Sequence, residues 1–372
     1  MKTNLIRETC SRLYGIQFNE ISIEALFRKY EETGFIYPAK KSLLDPYFQT
    51  IVNNWEQLIK SEDTLLWILS KGSEFPFSSV TLCKQSNFGL MAQHLVSTGN
   101  PALTLELMLA SQYCASNLFD EQEIRSGQNW FRPDNRYAYR IFASMYDKMG
   151  PQKASLRLLH YLHQPIQANF QENTANNCRL FPVTGHDADF VKFVQEQYGN
   201  VFATAEELNE DDIELNKLGA QFSKQNLIRY RRVYKVVNDV CGTIVGAVIA
   251  NRAPLGLNFS FLENRAYYIF SDTLPLADRL DALLAIHKEL AAVYADFTLG
   301  IIPIVTDELT SAMLQNIGGK YQRAYMQSIW LRSGFQQYYE HIQSFLEKIR
   351  PRLQSTTVFN IKPGNRCQNI SI

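Results

Sequence analysis

The sequence lacks net charge, closely spaced cysteines and any long apolar run. Lys plus Arg and Asp plus Glu number 37 each over 372 residues. A nucleic-acid binder usually carries a basic excess, so this balance argues against a large phosphate-binding face and leaves room only for a local patch such as Arg229-Tyr-Arg-Arg232. The six cysteines (Cys10, Cys83, Cys114, Cys178, Cys241, Cys367) contain no CxxC pair. That spacing excludes a zinc signature and a compact disulfide framework, and predicts buried free thiols in a reducing compartment. The N-terminus has no apolar signal core, and no run approaches about 18 apolar residues. A soluble, cytoplasmic chain with no membrane span is expected. Gly-x-Ser-x-Gly, a Walker loop and GxGxxG are all absent, which removes the hydrolase elbow and the common nucleotide cradles. His94, His160, His163 and His287 lack metal-ligand spacing to a matching carboxylate, so no metal site is expected.

What is present is core material. Apolar residues make up 46% and aromatics 12%, enough for sizeable cores, and the length suggests two domains. Residues 165–187 are rich in Asn, Gln, Thr and Pro. They divide the chain into a first domain at 1–170, a linker at 171–186, a second domain at 187–352 and a polar tail at 353–372.

In the first half, helices are expected over 22–32 and 45–60, strands near 64–70, 80–84 and 90–96, and a long helix over 102–117. A helix is expected at 137–148, while 153–163 reads as either strand or helix. Trp130, Arg132, Asp134, Asn135 and Arg136 form the densest polar–aromatic cluster, fit either for a planar anion or for packing as a loop.

In the second half, a helix over 187–197 precedes an acidic helix at 204–217 and a strand pair at 231–237 and 243–250. The stretch 266–331 then reads strand, helix, strand, helix, strand. Leu276, Leu280, Leu283, Leu284, Leu290 and Tyr294 mark one buried helical face. Residues 301–305 are an apolar run without alternation, as in a parallel strand covered on both faces. Pro303 removes a ladder donor, which predicts a splay from strand 266–272 near that residue, or an edge position. A splayed parallel pair leaves a crevice at its carboxyl ends, a usual ligand position. A closing helix is expected over 334–349, ended by Pro351.

The second half resembles the GNAT acyltransferase fold over about residues 187–332. The resemblance rests on "GTIVGAVIA" (242–250), "AYYIFSD" (266–272), "GIIPIVTD" (300–307), "NIGGK" (316–320) and the element order. The first half repeats the plan more weakly. The resemblance implies an α/β protein with a mixed sheet of GNAT type flanked by helices, in tandem. It implies transfer of an acyl group from a thioester to an amine. Phe270, Ser271, Leu274 and Arg279 would contact the thioester cofactor, with Asp272 as general base and Tyr321 or, preferentially, Tyr325 as general acid. Asp272 equally fits a helix cap. The loop 271–279 has no glycine, two carboxylates and Pro275, a poor cradle for pyrophosphate. The carrier is therefore acyl-CoA or an acyl carrier protein thioester, and the acceptor a small amine or a protein. The rival expectation is a binding or regulatory protein that keeps the fold without the chemistry.

Overall fold

The computed structural model describes residues 2–61, 65–72, 75–122, 124–167 and 177–355. Two compact units emerge. One comprises Met1–Ala154 with the chain from Ile329 on, and the other Ser155–Ser328.

The first unit begins with α1 (Lys2–Tyr14), β1 (Gln17–Phe18), α2 (Ile23–Glu32), α3 (Pro38–Leu44) and α4 (Phe48–Lys60). Ser22 caps α2 by accepting from the Ala25 amide. Then come β2 (Leu66–Lys71), β3 (Ser78–Lys84), β4 (Gly89–Ser97), α5 (Pro101–Gln122), β5 (Ser126–Phe131) and α6 (Arg136–Met149). β2, β3 and β4 pair antiparallel, while β5 runs parallel to β4 over Gly89–Met91 only. A bulge in β4 leaves His94 at φ 52, buried against Trp55 with ring centroids 5.3 Å apart. His94 is thus a packed strand residue. The 129–136 cluster resolves as the end of β5 plus a turn. Asn135 caps α6 by accepting from the Ala138 amide, and Arg132 pairs with Asp134 at 3.6 Å.

The second unit contains β6 (Ala154–Pro165), β7 (Cys178–Pro182), α7 (Ala188–Tyr198), α8 (Asn200–Ala205), α9 (Asn216–Ser223), β8 (Tyr230–Asn238) and β9 (Ile244–Arg252). It continues with β10 (Ala266–Phe270), α10 (Leu276–Val293), β11 (Ile301–Thr306), α11 (Glu308–Asn316) and β12 (Lys320–Leu331). Its strand order is β12-β6-β11-β10-β9-β8-β7. The sheet is mixed: β10 and β11 are parallel, and β6–β11, β9–β10, β8–β9 and β7–β8 are antiparallel. The closing helix α12 (Phe335–Ser355) belongs to the first unit.

β2-β3-β4-α5-β5-α6-β6 and β8-β9-β10-α10-β11-α11-β12 share one order of strands and helices, with the parallel pair in the same place. The final strands are exchanged. β11 is flanked by β6 rather than β12, and β5 neighbours the end of β12 rather than β6. This exchange is why the compact units divide at residue 154 rather than in the polar stretch.

Several expectations are corrected. Residues 178–182 of the expected linker form edge strand β7, while 171–176 lie outside the described residues. The single acidic helix over 204–217 is instead two short helices, α8 and α9, joined by turns in which Glu207 and Leu215 take positive φ. α12 runs through Pro351 to Ser355, so only 356–372 of the tail lies outside the described residues. Cys241 is exposed, unlike Cys10, Cys83, Cys114 and Cys178, and Cys367 lies outside the described residues. In the basic cluster 229–232, Arg229 and Arg231 are buried; alternation along β8 turns Arg231 inward and leaves Arg232 outside. Among the described residues, no helix is long and apolar enough to cross a membrane.

Candidate active site

The parallel ladder between β10 and β11 holds for two residue pairs, Ala266 with Ile304 and Tyr267 with Val305. β10 continues to Phe270 on β9 alone. The pair therefore forks at its carboxyl ends. Pro303 is not what opens it. It sits opposite His163 of β6, on a strand with neighbours on both sides, before the ladder to β10 begins. The Thr306 hydroxyl donates to the Tyr268 carbonyl at 2.8 Å, so a side chain replaces the backbone bond where the strands separate.

Arg279 closes the gap from the α10 side. Its guanidinium donates to the Ser271 carbonyl at 2.8 Å, to Thr310 Oγ1 at 2.8 Å and to Asp307 Oδ2 at 3.5 Å, and lies 5.2 Å from the centre of the Phe270 ring. It is 2% exposed, so it braces the two strand ends rather than presenting itself to a pyrophosphate. Phe270 and Leu274 are buried as well. Ser271 Oγ is within 2.9 Å of Thr273 Oγ1 and accepts from the Thr273 amide, which folds the loop onto itself. Pro275 occupies the cap position of α10 with no side-chain cap bond, and Asp278 sits in the first turn. The helix N-terminus thus meets carboxylates before it could meet a phosphate.

Asp272 is exposed and does not cap α10. Tyr325 is buried on β12, where its hydroxyl donates to Ser260 Oγ at 2.9 Å. Beside it, the Tyr161 hydroxyl donates to the Ser260 carbonyl, and His163 Nε2 lies 2.8 Å from that hydroxyl. With the phenol proton committed to the carbonyl, Nε2 of His163 must be the donor to it. Burial pushes the His163 imidazole down to about 4, so the ring is neutral near pH 7. Tyr161 lies opposite Val305, which lies opposite Tyr267, so Tyr325 stands at the level where the ladder ends. Asp272 is five residues past Tyr267 and three strands across from Tyr325. At about 3.3 Å per residue and 4.8 Å per strand, the two groups are on the order of 15 Å apart or more. The structure does not bring them together.

Two residues that sequence reasoning passes over do meet at the fork. β6 pairs His160 with Thr306, the last residue of β11, so Arg157 lies three residues past the end of that strand. Its guanidinium stacks on the Tyr198 ring at 4.1 Å. Tyr198, the last residue of α7, is 7% exposed, and its hydroxyl has no hydrogen-bond partner; nor does Arg157 Nε. Burial raises the Tyr198 phenol; the Arg157 charge opposes this, and Asp307 and Asp272 add to it. Both carboxylates that terminate the forked strands therefore act on this hydroxyl. In the sequence, Tyr198 reads only as one residue of the apolar face of its helix, and Arg157 falls in a segment whose periodicity is ambiguous.

Beneath the site, Glu206 is fully buried between Arg231 (2.9 Å) and Arg265 (3.1 Å) and accepts from the Tyr267 hydroxyl at 3.2 Å. Glu263 is buried with both carboxylate oxygens unpartnered, and burial pushes its carboxyl up to about 7, with Arg265 and Arg229 opposing. Pro254, Gly256 and Asn258 mark 252–264 as an irregular loop, yet nearly every residue of it is buried. Among the described residues, no three of His, Cys, Asp and Glu gather as a metal site.

No family model matches the sequence, and no curated protein matches it. Among solved structures, a tandem GNAT protein from the clavulanic acid biosynthesis pathway is similar at 11% identity and TM-score 0.37, over 76% of this chain and 88% of that one. A GCN5-related N-acetyltransferase from Sphaerobacter thermophilus gives 10% identity and TM-score 0.33 over 72% and 80%. The N-myristoyltransferase of Saccharomyces cerevisiae with bound myristoyl-CoA gives 8% and 0.31 over 85% and 78%. Likenesses of this degree assign no chemistry.

Proposed function

We propose that the second unit is an N-acyltransferase domain of GNAT type, and that the first unit is a diverged copy of it. The reading rests on one observation: a parallel pair, β10 and β11, that forks after two ladder residues while each strand pairs antiparallel with its outer neighbour, β9 or β6. The fork leaves the β10 backbone beyond Tyr267 unladdered on its β11 side. An extended thioester arm can lie along such an edge by backbone hydrogen bonds.

In the reaction, the amine nitrogen attacks the thioester carbonyl carbon. The C–N bond forms, the C–S bond breaks, the amine loses one proton and the thiolate gains one. Asp272, exposed at the end of β10, is the proton acceptor in this reading. Tyr325, three strands away and donating to Ser260, lies too far from Asp272 to protonate the same thiolate, which takes its proton from solvent in this reading. Phe270, Ser271 and Leu274 shape the loop beside the arm. With Arg279 used as a brace and Asp278 in the first turn of α10, the carrier is held by its pantetheine arm more than by its pyrophosphate. This fits an acyl carrier protein at least as well as acyl-CoA.

The Arg279 brace favours a second reading, a non-catalytic binding protein whose fork is closed for structural ends. Thermal shift with acetyl-CoA, longer acyl-CoAs and acyl-phosphopantetheine separates the two. Transfer predicts stabilisation by at least one thioester, and loss of amide product in Asp272→Asn at unchanged stability. No stabilisation by any thioester, with a stable protein complex isolated instead, sinks the transfer reading.

A further inference from the structure

Two hydrogen-bond donors at the fork have nothing to donate to. The Tyr198 hydroxyl and Arg157 Nε are each sealed from solvent and unpartnered. A buried polar hydrogen left unbonded costs on the order of 1–3 kcal/mol, so such groups persist where something else uses them. Their placement is specific. Arg157 extends β6 past the end of β11, and Tyr198 ends α7 under the influence of the two carboxylates that terminate β10 and β11.

The ring is held from two sides. Arg157 stacks on it at 4.1 Å, and Phe202 meets it edge-on at 4.9 Å. Phe202 in turn packs edge-on against Tyr267, the last ladder residue of β10, at 5.1 Å. Tyr198 therefore lies on the Tyr267 face of the sheet, opposite the face braced by Arg279. The orientation of its hydroxyl is set by packing and not by a hydrogen bond.

We propose that Tyr198 Oη and Arg157 Nε are the donors that hold the thioester carbonyl oxygen at the fork, and that they stabilise the oxyanion formed when the amine attacks. The assignment rests on the acyl-transfer reading and adds residues that reading does not use. A carbonyl oxygen suits the pair better than a free anion, because Asp272 and Asp307 disfavour a full negative charge on a diffusing ligand. The same two carboxylates favour approach of a cationic amine. On attack, negative charge develops on the carbonyl oxygen, and preorganised donors then act more strongly than in the ground state. Tyr198 stays protonated throughout and only donates.

The test uses the full chain and Tyr198→Phe, which removes one oxygen and keeps the ring. A structural tyrosine and an oxyanion donor differ in two readouts. Since the hydroxyl has no partner in the unliganded protein, Tyr198→Phe should keep or raise the urea midpoint. With acetonyl-CoA labelled with carbon-13 at its ketone carbonyl, the bound wild-type resonance should move downfield, and Tyr198→Phe should return it towards the free value. Binding should change by less than about twofold, and acetyl transfer should fall about 100-fold. A lowered urea midpoint, or a carbonyl resonance identical in the two proteins, overturns the assignment. Wild type that binds neither acetonyl-CoA nor acetyl-phosphopantetheine overturns the transfer reading as well, whereas binding with an unaffected carbonyl overturns only the role of Tyr198 and Arg157.

Discussion

Arg231 and Glu206 meet at 2.9 Å with both side chains essentially sealed from water. The same carboxylate also holds Arg265, and the Arg231 guanidinium donates to the Glu206 carbonyl at 2.6 Å. This network ties the turn after α8 to β8 and to the start of β10, and so sets the height of the fork's entry strand.

Removing the shared carboxylate takes from buried Arg231 its ion-pair partner and from buried Arg265 one of the charges that face it. Glu206→Gln should lower the free energy of unfolding by about 3–5 kcal/mol, the range for breaking a buried pair from one side. Urea unfolding at pH 7 measures it. A loss below about 1 kcal/mol would show that water reaches the network.

Glu263 gives stability a pH dependence of known sign. Its carboxyl is pushed by burial from the usual 4.5 up to about 7. Between these values the folded chain holds a proton that the unfolded chain has lost, so unfolding releases a proton and stability falls as pH rises. The contribution is full below about 4.5 and lost above about 7. At roughly 1.4 kcal/mol per pH unit the total is at most about 3.5 kcal/mol. Glu263→Gln should flatten the curve of urea midpoint against pH between 5 and 8 relative to wild type. Parallel curves for the two proteins would place the titration elsewhere.

Gly246 lies under Phe270, and a Cβ there would come within 2.8 Å of the ring. Gly246→Ala should cost about 1–3 kcal/mol through overpacking. Because Arg279 rests over that ring, the brace should loosen too, and any thioester affinity should change. A stability change under about 0.5 kcal/mol would mean that Phe270 has room to move.

Cys241 is exposed, and its thiol is held below the usual range by the Thr243 hydroxyl and backbone. Cys10, Cys83, Cys114 and Cys178 are buried. Iodoacetamide on native protein should alkylate Cys241 readily and leave these four untouched until urea is added. Peptide mass mapping reads this, and early labelling of any of the four contradicts their burial.

The βαβ stretch 266–306 is legible because its signals are local. The spacing of Leu283, Leu290 and Tyr294 and the uninterrupted run 301–305 need no distant partner, although Leu276, expected on the same buried face, is 58% exposed at the start of α10. The fork is legible as an event but not in its cause. Pro303 is the visible anomaly, yet the strands diverge only beyond Val305. Arg279 looks like a phosphate ligand because a cation in the first turn of a helix has that use. Its real partners come from two separate places in the chain, Ser271 after β10 and Asp307 with Thr310 at the start of α11. Resemblance alone pairs Asp272 with Tyr325, and strand order sets them apart.

Local patterning of apolar and turn-forming residues is enough to settle the strands and helices of 266–331 and that a parallel pair ends in an acidic turn, since these depend on neighbours within a few positions; it leaves 153–163 open and misplaces a helix over 204–217. Sheet order lies beyond it: the exchange of β6 and β12, the inward turn of Arg231, and the meeting of Arg157 with Tyr198 all arise from contacts between residues far apart in the chain. Such contacts are chosen by how buried faces and charges fit together once the chain is packed, and composition carries no record of that choice.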